Sequence, residues 1–201
     1  MADMQFHPVS ELFPVMAQVE FDALVADIAE NGLREPIHAI GNSIVDGRHR
    51  YRACRLAQVT PRFIECDGEA DITRLVVSLN LRRRHLSESQ RSMVAARLAT
   101  LAPGRPASNA ANLPDSASPP TMTQEQAASA LNVSERLVRH AKSVQAAGVT
   151  ELALAVDTGA IAVSTAADLC LLPADIQRNV LSRTPREIRA IARDVKDRIQ
   201  A

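Results

Sequence analysis

Ile44-Val-Asp-Gly-Arg-His-Arg-Tyr-Arg-Ala53 is the densest stretch of the chain, and its reading decides the fold class. A short apolar run ends at Asp46, Gly47 breaks it, and helix-compatible residues follow, so the string predicts a strand, a tight turn and a helix. A helix start presents unpaired amides and positive dipole charge. Gly47 lets an anion approach the backbone, and Arg48, His49, Arg50 and Arg52 add donors, which predicts a phosphate or nucleotide site. Arg82-Arg83-Arg84-His85 would supply a second wall. The competing reading is an arginine face paired with acids, for which Asp46, Glu65, Asp67, Glu69 and Asp71 are the candidates. Four Arg against one Asp in residues 46–55 favour the anion site.

The flanks extend this α/β pattern. Phe21, Leu24, Val25 and Ile28 recur at helical spacing, and Asn31-Gly32 ends that helix. Pro36 to Ile40 reads as a strand, Gly41-Asn42 as a hairpin turn, and Ser43 to Asp46 as the return strand. Arg62 to Cys66 is a further strand, and Ile72, Leu75, Val76 and Leu79 give another helical stripe. Ser87-x-x-Gln90 is a capping box opening a helix to about Leu101, and Thr184-Pro185-x-Glu187 is another, with Pro at the first helical position. Residues 102–122 hold five Pro and few large apolar side chains, so they read as a flexible linker. The expected organisation is an N-terminal α/β domain over 1–101, the linker, and an all-helical domain over 123–201.

Residues 123–144, TQEQAASALNVSERLVRHAKSV, carry a second signal. Thr123-x-x-Gln126 caps one helix, Asn132-Val133 turns, and Ser134 starts another. Ala128 is small enough for a close crossing, which Leu131, Val133, Leu137, Val138 and Ala141 would fill. This resembles a bacterial helix-turn-helix, with Asn132 in place of the usual turn glycine. The resemblance implies that the second helix enters the major groove, with Ser134, Glu135, Arg136, Arg139, His140 and Ser143 as outward candidates and Thr123 and Gln126 near the DNA backbone. The alternative is an ordinary packed helix pair. Three basic groups against two acidic in residues 122–147 make a thin phosphate footprint, so useful affinity requires a dimer or a second contact surface.

Composition bounds the rest. The 201 residues carry 23 basic and 23 acidic groups, which excludes a globally basic nucleic-acid coat protein. Aromatics are 2%, so a base-stacking platform for single strands is not expected. Cys54, Cys66 and Cys170 are scattered and no His pair has metal-ligand spacing, so neither a disulfide framework nor a zinc site is expected. No P-loop or nucleophile elbow is present. Without a signal peptide in Met1 to Phe6 or an apolar run of membrane length, the chain reads as cytoplasmic and free of membrane contact.

Three boxes together resemble the ParB/sulfiredoxin superfamily over about residues 5–182: NGLREPIHAI, DGRHRYRA and LNLRRRHLS. With the helix-turn-helix after them, the order is that of ParB-type partition proteins. The resemblance implies an α+β fold: a small mixed N-terminal domain followed by an all-α DNA-binding domain. It also implies CTP with magnesium as cofactor, Gly47, His49, Arg50 and Arg52 at the phosphates, and Asn80 by the metal with Arg83 nearby. A homodimer, a duplex DNA target and a ParA-type ATPase partner complete what it implies. The family's acids are replaced by Arg48, Leu79 and Arg84, which favours anion binding over magnesium coordination. Sulfiredoxin's reactive Cys is also replaced by Arg48, which removes that redox chemistry. Two other classes stand beside the partition reading: a nuclease or nucleoside triphosphatase of this fold, and a transcriptional repressor indifferent to nucleotide.

Overall fold

The computed structural model describes residues 4–66, 72–83, 86–100 and 122–200, without the side chains of 81–83, 199 and 200. The fold is α+β. The chain divides into two compact units, Met1–Arg83 and Arg84–Ala201.

The first unit is a four-stranded sheet with helices. Its strands are β1 (Gln5–Phe6), β2 (Ile37–Ile40), β3 (Ser43–Asp46) and β4 (Phe63–Glu65), in the order β1-β3-β2-β4. The hairpin β2–β3 turns at Gly41-Asn42, where Gly41 takes φ 52°, a conformation that a side chain would oppose. Its register slips between His38 and Ala39, so His38 faces Asp46 while Ala39 faces Ile44. β1 adds parallel to β3, and β4 adds parallel to β2.

Helix α1 (Gln18–Asn31) packs against α2 (Arg48–Leu56), and α3 (Ile72–Arg83) lies along β3. Ile28, Leu33, Ile37, Ile44, Tyr51, Ala53 and Cys54 form the core, with Phe6, Phe21, Leu24 and Val25 packed around it. Alternation explains the choice: Ile37 and Ala39 of β2 point inward, while the intervening residues are half-exposed.

The second unit is helical: α4 (Glu88–Leu98), α5 (Gln124–Ala130), α6 (Glu135–Ala147), α7 (Thr150–Asp157), α8 (Val163–Leu169), α9 (Ala174–Leu181) and α10 (Pro185–Gln200). Capping boxes at Ser87, Thr123 and Thr184 form as their spacing predicts.

The expected domain boundary at residue 101 differs from the contact-defined one, because α4 belongs to the helical unit. Met93, Val94, Ala95 and Ala96 are consecutive and all fully buried, so this helix needs neighbours on more than one side. α5, α6, α7 and α8 supply them. Polar ties hold it as well. Gln90 donates to the Asp157 carbonyl at 2.8 Å, the Ser89 hydroxyl accepts from the Val163 amide at 3.1 Å, and Arg97 pairs with the Asp157 carboxylate. Gln177, 2% exposed, accepts from the Val149 amide and donates to the Ala147 and Leu172 carbonyls, satisfying three helix-end groups at once.

The expected linker, apart from Met122, lies outside the described residues, as do Asp67, Glu69, Asp71, Arg84 and His85. Among the described residues no helix is long and apolar enough to cross a membrane.

Candidate functional site

The crossed helices α5 and α6 form as their sequence requires. The Thr123 hydroxyl accepts from the Gln126 amide at 3.1 Å, and the Gln126 side chain accepts from the Thr123 amide at 2.9 Å. Each side chain, expected near a DNA backbone, thus accepts from the other residue's backbone amide at the helix start. Asn132 takes φ 50°, the left-handed turn that Asn tolerates. The Ser134 hydroxyl accepts from the Leu137 amide at 3.3 Å and caps α6. Ala127, Ala128, Leu131, Val138, Ala141 and Val144 close the crossing, all buried. α4 braces it from behind: Gln145 donates to the Met93 carbonyl at 3.3 Å, and Arg91 donates to the Asn132 carbonyl at 3.4 Å.

The opposite face of α6 is open. Arg136 and Arg139 are exposed, one turn apart. Ser143 is exposed too, but its hydroxyl donates back to the Arg139 carbonyl at 3.2 Å. His140 departs from the expected outward position. It is half-buried, and its Nδ1 is enclosed without a hydrogen-bond partner. Burial first, then the Arg136 charge, hold its imidazole below the ordinary histidine range; Asp168 opposes this, while Arg139 and Lys196 add to it. The exposed donors of α6 are therefore its arginines, and its histidine is a packing residue.

In the first unit Gly47 starts α2 with φ 97° and offers no capping side chain. The donors expected around an anion are spent on the protein itself. The Arg50 guanidinium, 14% exposed, holds Asp46 Oδ2 at 2.9 Å and Glu35 Oε2 at 3.0 Å. It folds back over Gly47 so closely that an added Cβ would meet its Nη2 at 3.0 Å. Arg48 donates to the Phe13 carbonyl at 2.7 Å. His49 is buried and its Nε2 accepts from the Met16 amide at 3.2 Å. Arg52 is exposed and lies over the Phe6 ring, 4.9 Å from its centroid. Buried Asn80 donates to Asp46 Oδ1 at 2.9 Å and to the Val76 carbonyl at 2.9 Å. Arg83 ends α3, and its side chain lies outside the described residues, as does that of Arg82.

Asp46 is thus the centre of the cluster. It is 7% exposed, receives Arg50 and Asn80, and has His38 Nδ1 at 3.9 Å. The acid-paired reading of the arginines holds for Arg50 and Asp46. Glu35, the second acid on Arg50, carried no sequence signal, because it lies 15 positions away on a connection whose path only the fold defines.

A magnesium-nucleotide fits these residues poorly. Among the described residues no group of three or more His, Cys, Asp or Glu is placed to hold a metal ion. Asp46 already receives two donors, and an anion must displace it and Glu35 to reach Arg50.

No family model matches the chain, and no curated protein matches it. Among solved structures it is similar to the C-terminally truncated chromosome-partitioning protein ParB from Caulobacter crescentus complexed to the centromeric parS site. The identity is 16%, 96% of each chain is covered, and the TM-score is 0.43. It is also similar to C-terminally truncated ParB from the same organism complexed with CTP-gamma-S, at 17% identity, with 96% of this chain and 94% of that chain covered and a TM-score of 0.34.

Proposed function

We propose that the chain binds double-stranded DNA through α5 and α6, with α6 in the major groove. The single observation that carries this reading is the two-faced character of α6: Val138, Ala141 and Val144 are sealed in the core while Arg136 and Arg139 stand in solvent. A guanidinium in the major groove reads guanine edges bidentately or grips phosphate. Glu135 opens the exposed face and raises the cost of non-specific phosphate contact, which favours a defined sequence. A role in partition, a homodimer and a ParA-type ATPase partner are what the family resemblance adds. The test is a selection of bound duplex fragments with the full chain, followed by anisotropy on the winner. One enriched motif supports the reading, and equal recovery of all fragments refutes it.

A second reading concerns the first unit. Arg50 is positioned to exchange Asp46 and Glu35 for a phosphate group at the Gly47 turn, which would make the cluster an anion-sensitive switch. Calorimetry with CTP, ATP, GTP and tripolyphosphate in chelator tests it. Heat that disappears in Arg50→Ala supports the exchange. No heat with any of them removes the switch and leaves a DNA-binding protein indifferent to nucleotide.

A further inference from the structure

The C-terminal helix α10 is amphipathic in an uneven way. Ile188 and Ala192 are buried on one side. Arg186, Arg189, Arg193 and Lys196 follow one another at i, i+3, i+7 and i+10 and are all exposed, so they form one cationic stripe along a flank of the helix. At 1.5 Å rise per residue the stripe is about 15 Å long.

Helix stability does not explain this arrangement. Each neighbouring pair in the stripe, 186/189, 189/193 and 193/196, sets like charges at i,i+3 or i,i+4, where each costs the helix about 0.2–0.5 kcal/mol. Arg186 also sits in the first turn, where the dipole disfavours a cation. The nearby acids mostly serve elsewhere: Glu187 accepts from the Thr184 hydroxyl and amide at the cap, and Asp194 pairs with Arg198 at 2.8 Å. Asp197, four residues on from Arg193, is the acid whose helical position comes closest to the stripe.

The stripe lies in the same compact unit as α6. α8 packs against both α6 and α10, and the charges of Arg136, Arg139 and Lys196 are all felt at His140 on α6. α6 and the cationic helix α10 therefore flank α8 in the same compact unit, with Lys196 the member of the stripe whose charge reaches α6.

We propose that the Arg186–Arg189–Arg193–Lys196 flank of α10 is a second duplex-contacting surface, which grips the phosphate backbone beside the groove that α6 enters. The duplex carries one negative charge per about 1.7 Å of axis, and a row of four exposed cations complements it. This surface supplies the phosphate contacts that three basic groups in residues 122–147 cannot provide alone. The proposal rests on the duplex-binding reading above.

The experiment is a salt titration of duplex affinity by anisotropy for three forms of the full chain. These are the parent, a variant with Arg186→Gln, Arg189→Gln, Arg193→Gln and Lys196→Gln, and a variant with Arg136→Gln and Arg139→Gln. The α10 variant is expected to lose about 3 to 4 from the slope of log affinity against log salt, so between about 50 and about 200 mM salt its affinity falls about a hundredfold less than the parent's. A control with Arg186→Lys, Arg189→Lys and Arg193→Lys keeps the charge and should keep the parental slope. Circular dichroism verifies that each variant folds.

An unchanged slope in the glutamine variant, with binding lost in the Arg136/Arg139 variant, overturns this proposal and leaves the α6 reading standing. The reverse pattern refutes the α6 reading and with it the placement of this surface beside the groove that α6 enters. A parent that binds no duplex overturns both. Loss of a self-associated species with an unchanged slope assigns the stripe to a second copy of the chain and also overturns it.

Discussion

Arg139 is exposed on the face of α6 opposite its buried residues. Arg139→Ala should leave the unfolding midpoint within about 0.5 kcal/mol of the parent, while duplex affinity falls about tenfold or more from the loss of one bidentate contact. Paired melting and anisotropy curves measure both.

Gly47 makes the opposite prediction. Its φ of 97° disfavours any side chain, and an added methyl would press on Arg50 at 3.0 Å and on Ile37 at 3.3 Å. Gly47→Ala should cost about 1–3 kcal/mol in urea unfolding, and a neutral result would show that Arg50 does not hold that position.

His140 gives a pH dependence. Burial and the neighbouring cations depress its folded pKa, so the unfolded chain takes up the proton more readily. Its contribution to stability is fully present above the unfolded value near 6.5 and is lost as pH falls through the depressed folded value. Melting of the parent should therefore decline on acidification below about pH 6.5 more steeply than that of His140→Gln. Parallel curves would remove the histidine from the balance.

At the scale of elements, helix starts and turns were the most legible. Ser87, Thr123, Ser134 and Thr184 cap helices at the positions their spacing predicts, because a capping residue acts over three residues and needs no knowledge of the fold. Asn132 and the Gly41-Asn42 hairpin were legible for the same local reason. The allegiance of α4 was not. A proline-rich segment after residue 101 marked the expected boundary, whereas the run Met93–Ala96, apolar on every side, carried the signal that this helix lies inside a helical core.

The candidate anion cluster was half legible. The strand-glycine-helix junction formed, but the acids that take up Arg50 depend on the hairpin register and on Glu35, which are long-range facts. Ser87→Ala tests the reassigned helix. It removes the cap of α4 and should destabilise the helical unit by about 1 kcal/mol without altering unfolding of the sheet unit, as followed by hydrogen exchange. Loss confined to the sheet unit would contradict the reassignment.

Across the whole molecule, Arg48 and Arg50 of the sheet unit are turned to a backbone carbonyl and to acids of their own unit, whereas Arg136 and Arg139 of the helical unit face water. A fragment of residues 86–201 retains α4 and should fold cooperatively and bind duplex. A fragment of 123–201 lacks the Met93–Leu98 contacts and should melt lower or lose cooperativity, since several buried side chains are removed together. Equal stability of the two fragments would return α4 to the first unit.

Duplex binding is proposed to rest on Arg136 and Arg139. Its most direct test is anisotropy of the full chain on a selected duplex, with Arg136→Gln and Arg139→Gln combined in one variant. The parent should bind tightly and the variant should lose about a hundredfold or more in affinity, with an unchanged melting temperature. Equal affinity of the two, or no binding by either, contradicts it.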